Sequence, residues 1–156
     1  MAASVRVTDR GANDLLRRMK EAGEELTVRV GVIGDEAEAQ HQADDLTVVD
    51  IATAHEFGVG VPQRSWLREW VDENEPELQR RMRAIADAVV KRGLPLKPGL
   101  DAFGEKAVGE IKQRISGSIP PPNSPVTIAR KGSSTTLINT EQFRSSITSD
   151  VVKGRP

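Results

Sequence analysis

The stretch Asp50–Val71, DIATAHEFGVGVPQRSWLREWV, limits the fold more than any other part of the chain. One helical pattern runs into Gly58 and Gly60, and a second begins after Ser65 and carries both tryptophans. Glycine tolerates left-handed backbone angles and disfavours helix interiors, so the pair ends the first helix and sets the angle at which the second leaves. Thr47, with Asp50 three residues on, supplies an N-terminal capping signal for the first helix. Ser65 is the expected cap of the second.

The second helix has an apolar stripe of Leu67, Val71, Leu78, Met82, Ile85 and Val89, with Asn74 keeping the phase between. The phase continues across Pro76, which predicts one helix to about Arg92, kinked at the proline. The alternative is a restart, with Asn74 as cap and Pro76 in the first turn. Gly93 and Pro95 end it. A further helix is expected over about Pro98–Ser116, with Leu100, Phe103, Ala107, Ile111 and Ile115 on one face.

Strand signals are few. Leu26–Ile33, LTVRVGVI, alternates with Val28, Val30 and Val32 on one face, and Gly31 marks an expected bulge or close backbone approach. Ser4–Thr8 and Ile147–Val152 are the other two expected strands. Between the first two lies a helix capped by Asp9, with Ala12, Leu15, Leu16 and Met19 on its inward face and Gly23 as its stop. Residues 34–46 are acidic and poor in large apolar groups, which reads as a mobile loop. Residues 117–136, GSIPPPNSPVTIARKGSSTT, read as an extended arm with room for one helical turn, capped by Ser124 with Pro125 first inside. Thr140 opens another short turn or helix.

These elements give one α+β domain over residues 1–156: a small, mostly antiparallel sheet packed against several helices, with a long proline-rich loop. The chain has no cysteine, so disulfides and thiolate metal sites are excluded. Its longest apolar run falls short of the ~20 residues that cross a bilayer, and the N-terminus lacks a signal-peptide apolar region, so no membrane contact and synthesis in the cytoplasm are expected. Basic and acidic residues nearly balance, 22 against 23, which argues against a dedicated nucleic-acid binder. With three Phe, two Trp and no Tyr, a base-stacking platform is not expected either.

Signals for chemistry are weak. His55-Glu56 lacks the second histidine a zinc helix needs four residues on, where Val59 stands, and the other histidine, His41, lies in the acidic loop. His55 reads instead as a helix-terminal residue interacting with the negative end of the dipole. Gly58-Val59-Gly60 has neither the third glycine nor the preceding strand of a dinucleotide fingerprint, and no Gly-x-Ser-x-Gly elbow is present. No catalytic residue, cofactor or metal is expected. Arg80, Arg81, Arg83, Lys91 and Arg92 follow Glu73, Glu75 and Glu77, the order the helix macrodipole favours on a solvated face. The alternative is a small DNA-binding regulator using this basic helix, residues 80–92.

Trp66 and Trp70 share one helical face, which reads either as interior filling or as an interface anchor; Arg64 and Arg68 beside it favour the anchor.

Two segments resemble a known family. ATAHEFGVGVPQRSWLREW is similar to the "A-x-x-H-E-F-G, then P-x-R-S/P-F-L-R" segment of bacteriophage neck and tail-completion proteins, the virion-morphogenesis or minor tail proteins that include the Mu-type and lambda protein Z-like groups. PPPNSPVTIARKGSSTTLINTEQFRSSIT resembles that family's "S-P-x-T-x-x-R-K-G-S…L-I-D-T-G-x-L-x-x-S-I" region. Order and spacing agree, SVRVTDRGANDLLRRM also fits, and the likeness spans nearly the whole chain. Asn139, Glu141 and Trp66 depart from it, standing where Asp, Gly and Phe are usual.

The resemblance implies a structural, non-enzymatic virion protein at the neck or head-proximal tail end. Its implied partners are copies of itself in a ring of six or twelve, portal or adaptor proteins, tail-terminator and tail-tube proteins, and non-specific contact with DNA in the channel. Ring contacts are head-to-tail, joining different patches of neighbouring subunits. The expected interface residues are Phe57, Gly58, Arg64, Trp66 and Trp70 in the first segment, and Ile128, Arg130, Lys131, Leu137, Phe143 and Arg144 in the second.

Overall fold

The alternating valines of Leu26–Val32 form strand β1, which pairs antiparallel with β2, Ile147–Lys153, from Leu26↔Lys153 to Val32↔Ile147. The structure, a computed structural model, describes residues 11–22, 25–39, 46–132, 134, 136–137 and 142–154. The expected strand Ser4–Thr8, the Asp9 cap and Gly23 lie outside the described residues. The register puts Val28, Val30 and Val32 on one face with Val151, Ser149 and Ile147. Arg29 and Asp150 pair across the other face, Nε donating to Oδ1 at 2.9 Å. Gly31 corrects the expectation of a bulge or close approach: the ladder passes through Gly31↔Thr148 unbroken, and a Cβ there would meet nothing within 4 Å. Its φ of 154° is what favours glycine.

Among the described residues seven helices complete an α+β fold: α1 (Ala12–Ala22), α2 (Asp35–Glu38), α3 (Val48–Phe57), α4 (Arg68–Arg92), α5 (Leu96–Ser116), α6 (Pro125–Lys131) and α7 (Gln142–Ser145). Helix α5 lies on the valine face of the sheet, close enough at Gly104 that a Cβ would come within 2.7 Å of Ser149 Oγ. It turns back antiparallel along α4 after Gly93, which takes the left-handed angles of a helix stop (φ 67°). Arg81 bridges the pair to Glu110 at 2.8 Å, and Arg114 reaches both Glu69 and Glu73. The core gathers Val48 and Ala52 from α3, Trp66 and Trp70, the α5 residues Ala107, Ile111 and Ile115, and Ile119, Leu137, Phe143 and Ile147.

Several local expectations change, but that of one helix across Pro76 holds: α4 runs unbroken to Arg92, and Asn74 is interior to it, its Nδ2 donating to the Trp70 carbonyl at 2.8 Å rather than capping the alternative restart. Its buried residues are Trp70, Ala88 and Val89, whereas Val71 and Met82 face solvent; the large indole takes the inward position and displaces Val71 by one residue. In α1 the apolar stripe is outward, with Leu15, Leu16 and Met19 all exposed.

Part of the acidic loop is ordered: Gly34 (φ 75°) turns the chain into α2, and the Ala39 carbonyl accepts from Val48 N–H at 3.1 Å. The arm is folded back rather than extended. Ile119 and Thr136 are buried, the Thr136 hydroxyl donating to the Ile119 carbonyl at 3.0 Å, and Ser124 and Pro125 start α6 as expected.

Candidate functional site

The two segments singled out by sequence meet at the junction of α3, the glycine hinge and the start of α4. The capping box at Thr47 fixes where α3 begins, with Asp50 N–H donating to Thr47 Oγ1 at 3.2 Å and Thr47 N–H to Asp50 at 3.0 Å. Hydrogen bonding to Thr47 holds the Asp50 carboxyl below the usual carboxylate range. At the far end Gly58 takes left-handed angles (φ 75°) and returns its N–H to the Ala54 carbonyl. Arg64 N–H then bonds the His55 carbonyl at 2.7 Å, which closes the hinge.

Glu56 is the centre of this junction. Its buried carboxylate accepts from Ser65 Oγ (2.7 Å) and from the main-chain N–H groups of Trp66 (3.0 Å), Leu67 (3.0 Å) and Arg68 (3.2 Å). The first N–H groups of a helix have no partner within it, and a carboxylate there also meets the positive end of the macrodipole. Glu56 thus caps α4 from another helix. Ser65 is not the expected N-cap, since α4 starts at Arg68 with Leu67 in that position, but its Oγ accepts from Glu69 N–H at 3.1 Å in the first turn.

Arg64 reaches the other way. Its Nε donates to the Pro121 carbonyl at 2.8 Å, and its Nη2 to the Pro122 carbonyl and Asn123 Oδ1 at 3.4 Å each. Among the described residues these partners are neutral oxygens, and burial holds the guanidinium below its ordinary pKa. Asn123 Nδ2 in turn donates to the Ser134 carbonyl at 3.2 Å. Arg64 therefore ties the proline-rich segment to the hinge.

Behind the junction the Trp66 ring stands edge-on to Phe143, centroids 5.2 Å apart at 86°, while its Nε1–H bonds the Ala52 carbonyl at 3.1 Å. Five residues expected at an interface are accordingly interior: Arg64 and Trp66 at 4% exposure, Trp70 at 5%, Leu137 at 8% and Phe143 at 3%. The correction has one physical reason. With so few aromatics, both indoles and Phe143 are needed to fill the subunit's own core, and the indole N–H and the guanidinium find partners inside it.

The remaining expected residues are distributed. Phe57 is 59% exposed, with the Arg68 guanidinium 5.5 Å from its ring centroid, and Gly58 sits in the hinge. Ile128 is exposed on α6, which also carries Arg130 and Lys131. Arg144, on α7, bonds Ser116 Oγ at 3.0 Å and lines a groove of about 460 Å³ with Lys112, Gln113, Ser116 and Ser145. The structure brings Arg64, Trp66, Trp70, Leu137 and Phe143 into one interior unit and leaves Phe57 and Ile128 outward.

Among the described residues no group of three or more His, Cys, Asp or Glu side chains is placed to hold a metal ion, and no helix is long and apolar enough to cross a membrane. Three bases of α4 have acidic partners, with Arg80 and Arg81 bonding Glu77 and Lys91 bonding Asp87 at 2.8 Å, whereas Arg83 donates to the neutral Gln79 side chain.

Glu56 is the residue that sequence reasoning missed. Its signal was present: an acid in the last turn of a helix opposes the macrodipole, and such a misfit points to a partner outside the helix. Comparison with protein-family models, curated proteins and solved structures returns no significant match.

Proposed function

We propose that this chain is a structural virion protein of the bacteriophage head–tail connection, a neck or tail-completion component that works by ring-forming contacts with copies of itself and with its neighbours. The observation that carries this reading is the Trp66–Phe143 contact. It joins the two segments on which the family resemblance rests into one mechanical unit. The polar residues of that unit are occupied by framework bonds: Glu56 holds the start of α4, Ser65 both donates and accepts within the junction, and Arg64 holds the proline-rich segment. Such an arrangement suits a part that must keep a fixed angle under load.

In this role the buried junction sets the geometry, and outward residues such as Phe57 and Ile128 remain for contacts. The partners are further copies in a ring of six or twelve, portal or adaptor proteins, and tail-terminator or tail-tube proteins, with DNA passing through the channel. The pairing of Arg80, Arg81 and Lys91 with acids weighs against the alternative of a DNA-binding regulator.

The test is quantitative mass spectrometry of tailed particles from cells carrying the gene, beside particles from a deletion. The chain is expected in tailed particles at a six- or twelvefold ratio to the genome, and the deletion is expected to yield unjoined heads and tails. Normal tailed particles from the deletion would overturn the proposal.

A further inference from the structure

Two exposed apolar patches of opposite charge lie at opposite ends of α4. Phe57 is under Arg68, the first residue of that helix, whereas Arg18 of α1 packs against Gly93, just past its last. Twenty-five residues at ~1.5 Å each separate the ends by ~37 Å.

At the first end Val49, Thr53 and Phe57 fall at helical spacing on the outward face of α3, and the hinge adds exposed Val59 and Val61. Every charge between Gly34 and Phe57 is acidic, and the base over Phe57, Arg68, lies 3.8 Å from the Glu56 carboxylate. Asp35, Glu38 and Asp50 are exposed there, and α2 lies against α3. At the second end Leu16 (62% exposed), Met19 (54%) and Leu94 are outward. Among the described side chains Lys20, Lys91 and Arg92 are exposed at this end, and two acids there are engaged, Asp14 by Arg17 and Arg18 and Asp87 by Lys91.

We propose that copies of this chain associate head to tail, the acidic apolar ridge of α3 in one copy seating on the basic apolar end formed by α1 and the end of α4 in the next. The proposal rests on the ring reading above and deepens it. Charge selects the pairing. Two α3 ridges repel one another, as do two α1 ends, so the self-complementary dimer is disfavoured and the unlike pairing is favoured. Repeated contacts between different patches close into a ring when the rotation allows it. The second copy is the fitting occupant because it presents both exposed apolar residues and the opposite charge.

The experiment is sedimentation and native mass spectrometry of the purified full-length chain at low and high salt, with three variants. The first carries Asp35→Lys and Glu38→Lys, the second Lys20→Glu and Arg92→Glu, and the third all four changes. The wild type is expected to form oligomers that weaken with salt. Each single-end reversal should weaken association about tenfold or more, and the combined variant should restore it. Circular dichroism melts that match wild type show that the fold is intact.

A monomeric wild type, oligomers indifferent to both reversals, or a folded combined variant that stays monomeric would each overturn the proposal. Particle composition is a separate readout. The chain found in particles at ring stoichiometry, with reversals that change nothing, leaves the virion role standing and removes only these surfaces.

Discussion

The Arg64 guanidinium and the Pro121 carbonyl meet at 2.8 Å across 57 residues of chain, and this bond ties the proline-rich segment to the hinge. Proline has no N–H of its own, so consecutive prolines interrupt the usual main-chain pairing and leave their carbonyls open to an outside donor. Arg64 supplies a fork with several donors from one buried point.

Replacing Arg64 by Ala leaves the Pro121 and Pro122 carbonyls and Asn123 Oδ1 without this donor. The expected loss is about 2–4 kcal/mol in urea unfolding, a large part of the ~5–15 kcal/mol of a typical domain. Lysine keeps the charge but not the fork, so Arg64→Lys should recover less than half of the loss. Hydrogen exchange should quicken around Ile119 and Thr136 in both variants while β1 and β2 stay protected. Uniform change across the chain would show that Arg64 acts on the whole core instead.

Glu56→Ala removes one acceptor from three main-chain N–H groups and the Ser65 hydroxyl. The expected cost is about 3–5 kcal/mol, because buried donors are left unpaired and α4 loses its cap. Glu56→Gln keeps one carbonyl oxygen and adds donors facing donors, so it should recover little. Glu56→Asp is too short to reach all four groups and should fall between. Denaturant midpoints for the three variants check the order, and a glutamine variant as stable as wild type would refute the capping role.

Local rules made much of this fold readable. Thr47–Asp50 and Ser124–Pro125 announced helix starts, because their side chains act within three residues. The α5 stripe was legible since a single face meets both sheet and core, leaving Leu100, Ala107, Ile111 and Ile115 buried at regular spacing. Of the α4 stripe, Leu78 and Val89 turn inward as read, whereas Val71 and Met82 do not: Trp70 takes the inward place in the first turn, and periodicity alone does not weigh indole area against a branched aliphatic. The α1 stripe was legible as a stripe, yet no local rule says whether such a face meets the core or another molecule. The misfit of Glu56 in its helix was legible, but its partners and those of Arg64 were not. Most of them are main-chain groups, which every residue type carries, so no side-chain pattern encodes the match.

Gly104 lets α5 lie directly on the sheet, and a Cβ there would meet Ser149 Oγ at 2.7 Å, its Cβ at 2.9 Å and Val28 Cγ1 at 3.2 Å. Alanine is the better helix former by about 1 kcal/mol, so in an open helix this change would stabilise. Overpacking opposes that gain with about 1–3 kcal/mol, and Gly104→Ala should be destabilising. The double variant Gly104→Ala, Ser149→Gly removes the serine atoms and should recover part of the loss. Gly109 is the control, since a Cβ there meets nothing within 4 Å and Gly109→Ala should stabilise. Thermal melts of the three variants decide it, and equal effects at 104 and 109 would rule out the close approach.

Asp150 gives the fold a pH dependence with a definite sign. Its carboxyl lies below the ordinary carboxylate range, chiefly because Arg29 donates hydrogen bonds to it across the sheet. A carboxyl depressed in the folded state adds stability that is fully present above its unfolded pKa of about 3.9 and disappears as pH falls through the lower folded value. Asp14 and Glu77 are lowered in the same way by arginines on their own helices, and their contribution fades over the same acid window. Asp150→Asn should therefore be less stable than wild type at neutral pH and converge with it in acid. Because the Arg29–Asp150 pair is exposed, the neutral-pH difference should also shrink as salt rises. Urea midpoints of both proteins, taken at neutral and acid pH and at two salt concentrations, test the assignment; a gap that persists in acid would mean that Asp150 stabilises the strand by packing rather than by charge.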